Sequence, residues 1–229
     1  MNAVTRHNNH IISGLNANDW QILQPHLEYI EFKSGPLSTQ RGPNDFYVYF
    51  VVSGIFALTI EVDKHDTAFV LLGQDSLIDA TVSLDNGLDA VQVLCLTKLT
   101  AYALSASTAS ALLPNLPSLE AGLKTANRNT FMKMARVTAC SQNHTSQQRL
   151  ASWLLRASDL TDNLRLTISH QVLAQLHGIR RAGATVELGK LKASNAITTG
   201  YGWIEIKDRA VLEQHACSCY HASTVVLQP

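Results

Sequence analysis

The chain has 229 residues, 46% of them apolar and 16% charged, and its 18 basic and 18 acidic residues cancel. That length accommodates two domains, the apolar share supports an ordinary packed core, and the overall balance gives no sign of a polyanionic partner. The halves differ: residues 1–139 carry nine cations and twelve anions (net −3) and residues 140–229 nine and six (net +3), which points to nucleic acid under the second half.

The N-terminal residues, MNAVTRHNNHII, lack a signal-peptide core, and the longest apolar run, near Val48 to Ile60, holds Ser53, Gly54 and Thr59 and is too short to span a bilayer. The expectation is a soluble, cytoplasmic protein with no membrane partner. Residues 11–30 read as one helix capped by Asn16 or Asn18, with Trp20, Leu23 and Leu27 on one face. From Phe46 the period shortens. FYVYFVVSGIFALTIEV breaks at Ser53-Gly54, DKHD at 63–66 is a turn before TAFVLLG, and Asp85-Asn86-Gly87 signals a hairpin before DAVQVLCL and KLTAYAL. Short strands with a turn every ten or so residues predict a β-sandwich or jelly roll.

STASALLPNLPS predicts a short helix punctuated by Pro114 and Pro117, followed by a long helix from Pro117 to about Cys140. Leu119, Leu123, Ala126, Thr130, Met134 and Val137 recur at spacings of four and three, close to a heptad seam, and predict a dimerisation helix. A second domain then opens with a helix starting at Ser141 or Asn143, whose apolar face is Leu150, Trp153 and Leu154. The domains expected are 1–116, 117–140 for the dimer helix, and 141–229.

In SHQVLAQLHGIRRAGATVELGKL, Ser169 is a good N-cap, Leu173, Ala174 and Leu176 face inward, and Gly178 supplies a turn by adopting positive φ. A second helix follows with Ala184, Leu188 and Leu191 inward. It opens on Arg180 and Arg181, at the positive end of its dipole, where a structural helix prefers Ser, Thr, Asp or Asn and carboxylates. Helix, Gly turn, helix is the arrangement that inserts its second helix into the DNA major groove, and the arginines fit phosphates or guanine edges there. Thr185 shares the face of Arg181, while Ala182 and Gly183 let backbone approach closely. ITTGYGWIEI reads as a β-hairpin wing with Thr198, Thr199 and Tyr201 near its tip, and DRAVLEQHACSCY as one closing helix capped by Asp208.

These segments, with CSQNHTSQQRLASWLLRASD and IKDRAVLEQHACSCY, resemble the Crp/Fnr family of bacterial transcription regulators over nearly the whole chain. They resemble in particular a subgroup with paired arginines at the recognition helix and an ACxCY-like terminus. The resemblance implies an α+β chain: an N-terminal jelly roll like cyclic-nucleotide-binding domains, a long dimerisation helix, and a C-terminal winged helix-turn-helix. It implies a homodimer on double-stranded DNA, with RNA polymerase and a small-molecule effector of unknown identity as further partners. By the same likeness Arg181 is the base reader, Arg180 falls at the helix cap, and Ser169, Gln171 and Thr185 fall at phosphate positions, with Thr199 and Tyr201 on the wing.

The departures narrow this. Ala182 and Val186 replace a family glutamate and arginine, so the operator differs from that of the cyclic-AMP receptor. The neutral wing means fewer released counterions and weaker salt dependence. In the effector region, Gly73 and Gln74 are followed by Leu88 and Asp89 where Arg and Ser bind a cyclic phosphate. A carboxylate there repels a phosphodiester, so neither cAMP nor cGMP is expected. Haem is disfavoured because His65 is the sole histidine between Phe46 and Leu104. Cys95, Cys140, Cys217 and Cys219 form no CxxC pair and no zinc-like Cys/His spacing, so they are expected to be reduced and structural, with no iron–sulfur cluster, metal or other cofactor. One histidine is too few for a cupin-type enzyme, and no phosphate loop, nucleophile elbow or HExxH occurs, so no catalytic residues are expected. The rival reading is a dimeric ligand-sensing or protein-interaction module whose DNA binding has weakened, which the small Ala184, the glycines and the neutral wing would suit.

Overall fold

The computed structural model describes residues 9–42, 45–62, 65–74, 76–78 and 91–224. Contacts divide the chain into two units, residues 1–58 with 72–131, and residues 59–71 with 132–229. The division falls inside the long helix rather than at its start.

The first unit opens with α1 (His10–Ser13) and α2 (Ala17–Leu23). The Asn9 side chain accepts from the Ile11 and Ile12 amides and Asn16 from that of Asp19, so each helix has its own cap. The single helix expected over 11–30 is therefore two, interrupted at Gly14. Leu23 ends α2, Pro25 sits in a 3-10 turn, and residues 28–32, Glu-Tyr-Ile-Glu-Phe, form strand β1 (Glu28–Phe32). Aromatic and β-branched side chains alternating with carboxylates fit a half-buried strand better than a helix.

β2 (Gly35–Leu37), β3 (Gln40–Gly42), β4 (Asp45–Ser53), β5 (Phe56–Val62), β6 (His65–Leu72), β7 (Leu77–Ile78), β8 (Val91–Cys95) and β9 (Leu99–Ser105) follow. They form two sheets, one ordered β1-β9-β4-β3 with β7 on β4, the other β2-β8-β5-β6. β9 lies antiparallel between β1 and β4, with Phe50 opposite Tyr102 and Ile30 opposite Ala101. The Ser53-Gly54 break holds for a steric reason. Gly54 has φ +91, and a Cβ there would lie 2.4 Å from the Lys98 carbonyl oxygen. The Asp85–Gly87 hairpin lies outside the described residues.

Ser105 caps α3 (Ala106–Leu112), Pro114 occupies a 3-10 turn, and α4 (Pro117–Asn143) starts on a proline that has no amide to satisfy. Ile12, Leu15, Leu23, Phe50, Tyr102 and Leu104 make the core of this unit, and Leu116, Leu119 and Ala126 belong to it, with Leu123 packed against them. This corrects part of the expected seam: Leu119, Leu123 and Ala126 cover their own domain. Further along α4, Thr130, Met134 and Val137 are half-buried, whereas Phe131 is 66% exposed and Met132 borders it.

Residues 59–71, which hold the end of β5 and most of β6, group with the second unit, whose remainder is mostly helical. α4 runs through Asn143, so the next helix starts later than expected. α5 (Ser146–Thr161) is capped by Thr145, whose hydroxyl accepts from the Gln148 amide while the Gln148 side chain accepts from the Thr145 amide. Leu150, Trp153 and Leu154 are buried as its spacing predicts. β10 (Arg165–Leu166), α6 (His170–His177), α7 (Arg181–Ala193), β11 (Ile197–Gly200) and β12 (Trp203–Ile206) follow. The closing helix is two pieces, α8 (Arg209–His215), capped by Asp208, and α9 (Cys219–Thr224). No helix among the described residues is long and apolar enough to cross a membrane.

Candidate nucleic-acid interface

α6 begins in the ordinary way: the Ser169 hydroxyl accepts from the Val172 amide. It ends at Gly178 with φ 60, ψ 36, a left-handed cap whose amide donates to the carbonyls of Ala174 and Gln175. α7 then starts with its first turn facing outward. Leu173, Ala174 and Leu176 of α6 and Ala184, Leu188 and Leu191 of α7 are all buried, the six positions expected from periodicity.

The start of α7 is different. Arg180 occupies the N-cap position with extended backbone, and no side chain accepts from the first-turn amides. There is no acidic residue in that turn. Arg180 and Arg181 are both exposed, and neither guanidinium has an ion-pair partner among the described residues. Two cations and a set of unsatisfied amides thus share one helix tip. Thr185, one turn on, is exposed, donates to the Arg181 carbonyl and lies 3.1 Å from Nδ1 of His170. His170 therefore belongs to this surface, although sequence alone did not mark it. Gln171 is exposed beside it, and Val186 stands 57% exposed on the same helix as the arginines. Ala182 and Gly183 are exposed, and a Cβ at Gly183 would meet nothing within 4 Å.

β11 and β12 pair antiparallel, with Gly200 opposite Trp203, and turn through Tyr201 and Gly202. Tyr201 is fully exposed, and Thr198 and Thr199 are half-buried. The sheet has a third strand that was not expected: β10 pairs with β12 and sets Arg165 opposite Glu205. The Arg165 guanidinium lies 4.0 Å over the Trp203 ring. The wing therefore gains a cation that a reading of the hairpin alone leaves out. The signal for it was slight, a single Leu-Arg-Leu alternation after Asn163.

Trp153 and His177 meet edge to face at 6.1 Å. Burial, together with the nearby Arg149 charge, holds the His177 imidazole down at about 4. Of the residues expected to form an effector site, Gly73 is buried and accepts from the Ser76 amide, Gln74 is exposed, and Leu88 and Asp89 lie outside the described residues.

Residues 148–215 match the Crp-like helix-turn-helix domain. Comparison with curated proteins returns no match. Solved structures carry the likeness over most of the chain. The cyclic-di-GMP-responsive global regulator CLP of Xanthomonas campestris is 16% identical with a TM-score of 0.66, over 84% of this chain and 100% of that one. FixK2 of Bradyrhizobium japonicum is 13% identical with a TM-score of 0.66, over 84% and 98%. A Crp/Fnr-family transcriptional regulator of Thermus thermophilus, TTHA1359, is 23% identical with a TM-score of 0.59, over 82% and 98%. At these identities the comparisons show a shared fold. Within the Crp-like domain, Arg180 and Arg181 open the second helix of the motif and β10–β12 form its wing.

Proposed function

We propose that this chain is a DNA-binding transcriptional regulator of the Crp/Fnr type that reads a two-fold symmetric operator as a dimer. The observation that carries this reading is the uncapped, doubly cationic tip of α7. Uncapped amides at a helix start favour an anion, and two guanidinium groups beside them raise that preference. DNA supplies phosphates for Arg180 and the amides, and a guanine edge for Arg181. Ser169, spent on its own helix, contributes orientation more than contact. Gln171, Thr185, Thr199 and Tyr201 flank the tip as backbone contacts, with Arg165 as a further one on the wing.

Two copies would be joined along α4 beyond residue 126. Phe131 and Met132 are large apolar side chains left exposed on a helix whose earlier turns are already covered. The composition of the effector region supports a regulator that does not respond to cAMP or cGMP, and the reading leaves catalysis to the transcription machinery it would recruit or block.

Gel-shift titration with DNA from upstream of its own gene, repeated across salt concentrations, tests the proposal. Tight, sequence-dependent and salt-sensitive retardation is expected, with the protein sedimenting as a dimer. Binding that ignores both sequence and salt would overturn it and favour the interaction-module reading.

A further inference from the structure

Cys140, His144, Cys217 and Cys219 give no signal by spacing, yet the fold gathers them: their ligand atoms all lie within 4.8 Å of one another. We propose that these four residues bind a single soft divalent cation of the zinc class, clamping the last turn of α4 to the segment between α8 and α9.

Geometry sets the nuclearity. Thiolates at about 2.3 Å from a tetrahedral zinc stand roughly 3.8 Å apart along the edges, and an imidazole nitrogen at about 2.0–2.1 Å stands slightly closer to them. Here the Cys140 and Cys217 sulfurs are 3.5 Å apart, and the Cys219 sulfur is 3.8 Å from Nδ1 of His144. An iron–sulfur cluster spreads its thiolates around several irons and sulfides, whereas these donor atoms all lie within 4.8 Å of one another. All four cysteines are unbridged, and 3.5 Å is far beyond a sulfur–sulfur bond.

The backbone explains the convergence. Cys140 and His144 are four residues apart, one turn, and the His144 amide donates to the Cys140 carbonyl, so both sit on one face. Cys217 and Cys219 lie where the closing helix is broken, beyond the extended Ala216, and the Tyr220 amide donates to the Cys217 carbonyl in a tight turn. Had 209–220 been one helix, these two thiols would lie on divergent faces.

The surroundings suit a thiolate site. Cys140 and Cys217 are buried, and His144 and Cys219 are half-buried. The buried Ser152 hydroxyl accepts from the Cys217 amide and lies 3.0 Å from the Cys217 sulfur, within reach to donate its own proton to a thiolate there. Such outer donors hold a ligand in place and offset its charge. Arg156 donates to the Cys219 carbonyl at 2.9 Å, setting a cation beside a site that would carry net negative charge with three thiolates. Tyr220, the next residue, donates to Asp159 at 2.8 Å and accepts from Arg209, which also pairs with Asp159 and Glu213. The Cys217–Tyr220 side of the set is thus anchored to α5 and α8 by contacts of its own. Loading would displace thiol protons and fix the start of α5, the helix that buries its face under the helix-turn-helix motif.

The test uses the reduced full-length protein and does not depend on DNA binding. Cobalt(II) titration should give intense sulfur-to-cobalt charge transfer and strong visible bands of a tetrahedral ion, saturating at one ion per chain and bleached by added zinc. Protein purified without added metal should carry zinc at the same ratio. H144A and C219S should lose tight loading, S152A should weaken it about tenfold or more, and C95S, whose thiol lies in the other unit, should keep it. Wild-type cobalt spectra decide the matter even if a cysteine variant fails to fold. A weak octahedral spectrum, iron with labile sulfide, full loading of a C217S/C219S variant, or metal-free protein with a Cys140–Cys217 disulfide would each overturn the proposal.

Discussion

α6 and α7 are neighbours in one motif, bury three residues each in the same core, and yet begin in opposite ways. α6 starts on Ser169, whose hydroxyl satisfies a first-turn amide, as folding prefers. α7 starts on Arg180, satisfies none with a side chain, and adds a second cation at the positive end of its dipole. The stability of α7 must therefore come from Ala184, Leu188 and Leu191, because Gly183 and Gly189 weaken it by about 1 kcal/mol each relative to Ala. A helix start that folding disfavours, held in place by packing, is what a surface kept for an external anion looks like.

Breaking the exposed side of this contrast should have the largest effect. Arg181→Ala is expected to cost about 1–3 kcal/mol of operator affinity per half-site, twice that for a dimer, with the unfolding midpoint unchanged. Unchanged affinity in a quantitative gel shift would remove this residue as a reader. The buried side should respond to acid instead. His177 ionises at about 4 in the folded chain, below its ordinary 6.5. As pH falls through 6.5 the unfolded chain takes up a proton that the folded chain refuses, so stability falls between pH 6.5 and 4 by up to about 3 kcal/mol and is fully present above that window. Urea unfolding at about pH 7.5 and about pH 5, on either side of the ordinary histidine value, measures this, and His177→Leu should flatten the difference.

Smaller effects sharpen the comparison of the two starts. Ser169→Ala should destabilise the domain by about 1 kcal/mol, seen as a lower urea midpoint, and weaken DNA binding only through that loss. Arg180→Ser should do the reverse, adding several tenths of a kcal/mol of stability through a new cap while reducing affinity and the salt dependence of binding. If Arg180→Ser lowered stability instead, the arginine would be serving the fold.

Most of this surface was legible in the chain itself. The Ser169 cap, the Gly178 turn, the six buried positions and the exposed Arg180–Arg181 pair all follow from interactions within a few residues, where period and backbone preference suffice. The break at Ser53-Gly54 was legible for the same reason, as was the hairpin around Tyr201. Other features needed the fold. The first three residues of β1 fall inside the helix expected over 11–30, because so few residues do not settle a period against the apolar stripe before them. β10 is two residues long and exists only because β12 lies beside it. Leu119 and Ala126 follow a seam-like spacing, but whether such a stripe meets its own domain or a second copy depends on what the rest of the chain brings to it. The gathering of Cys140 and His144 with Cys217 and Cys219 shows this most clearly. It joins residues more than seventy positions apart through a helix that runs past its expected end and another that breaks before its own. Local patterns report which faces are apolar and which ends are capped; only the folded chain decides which distant side chains come within a few ångströms of one another.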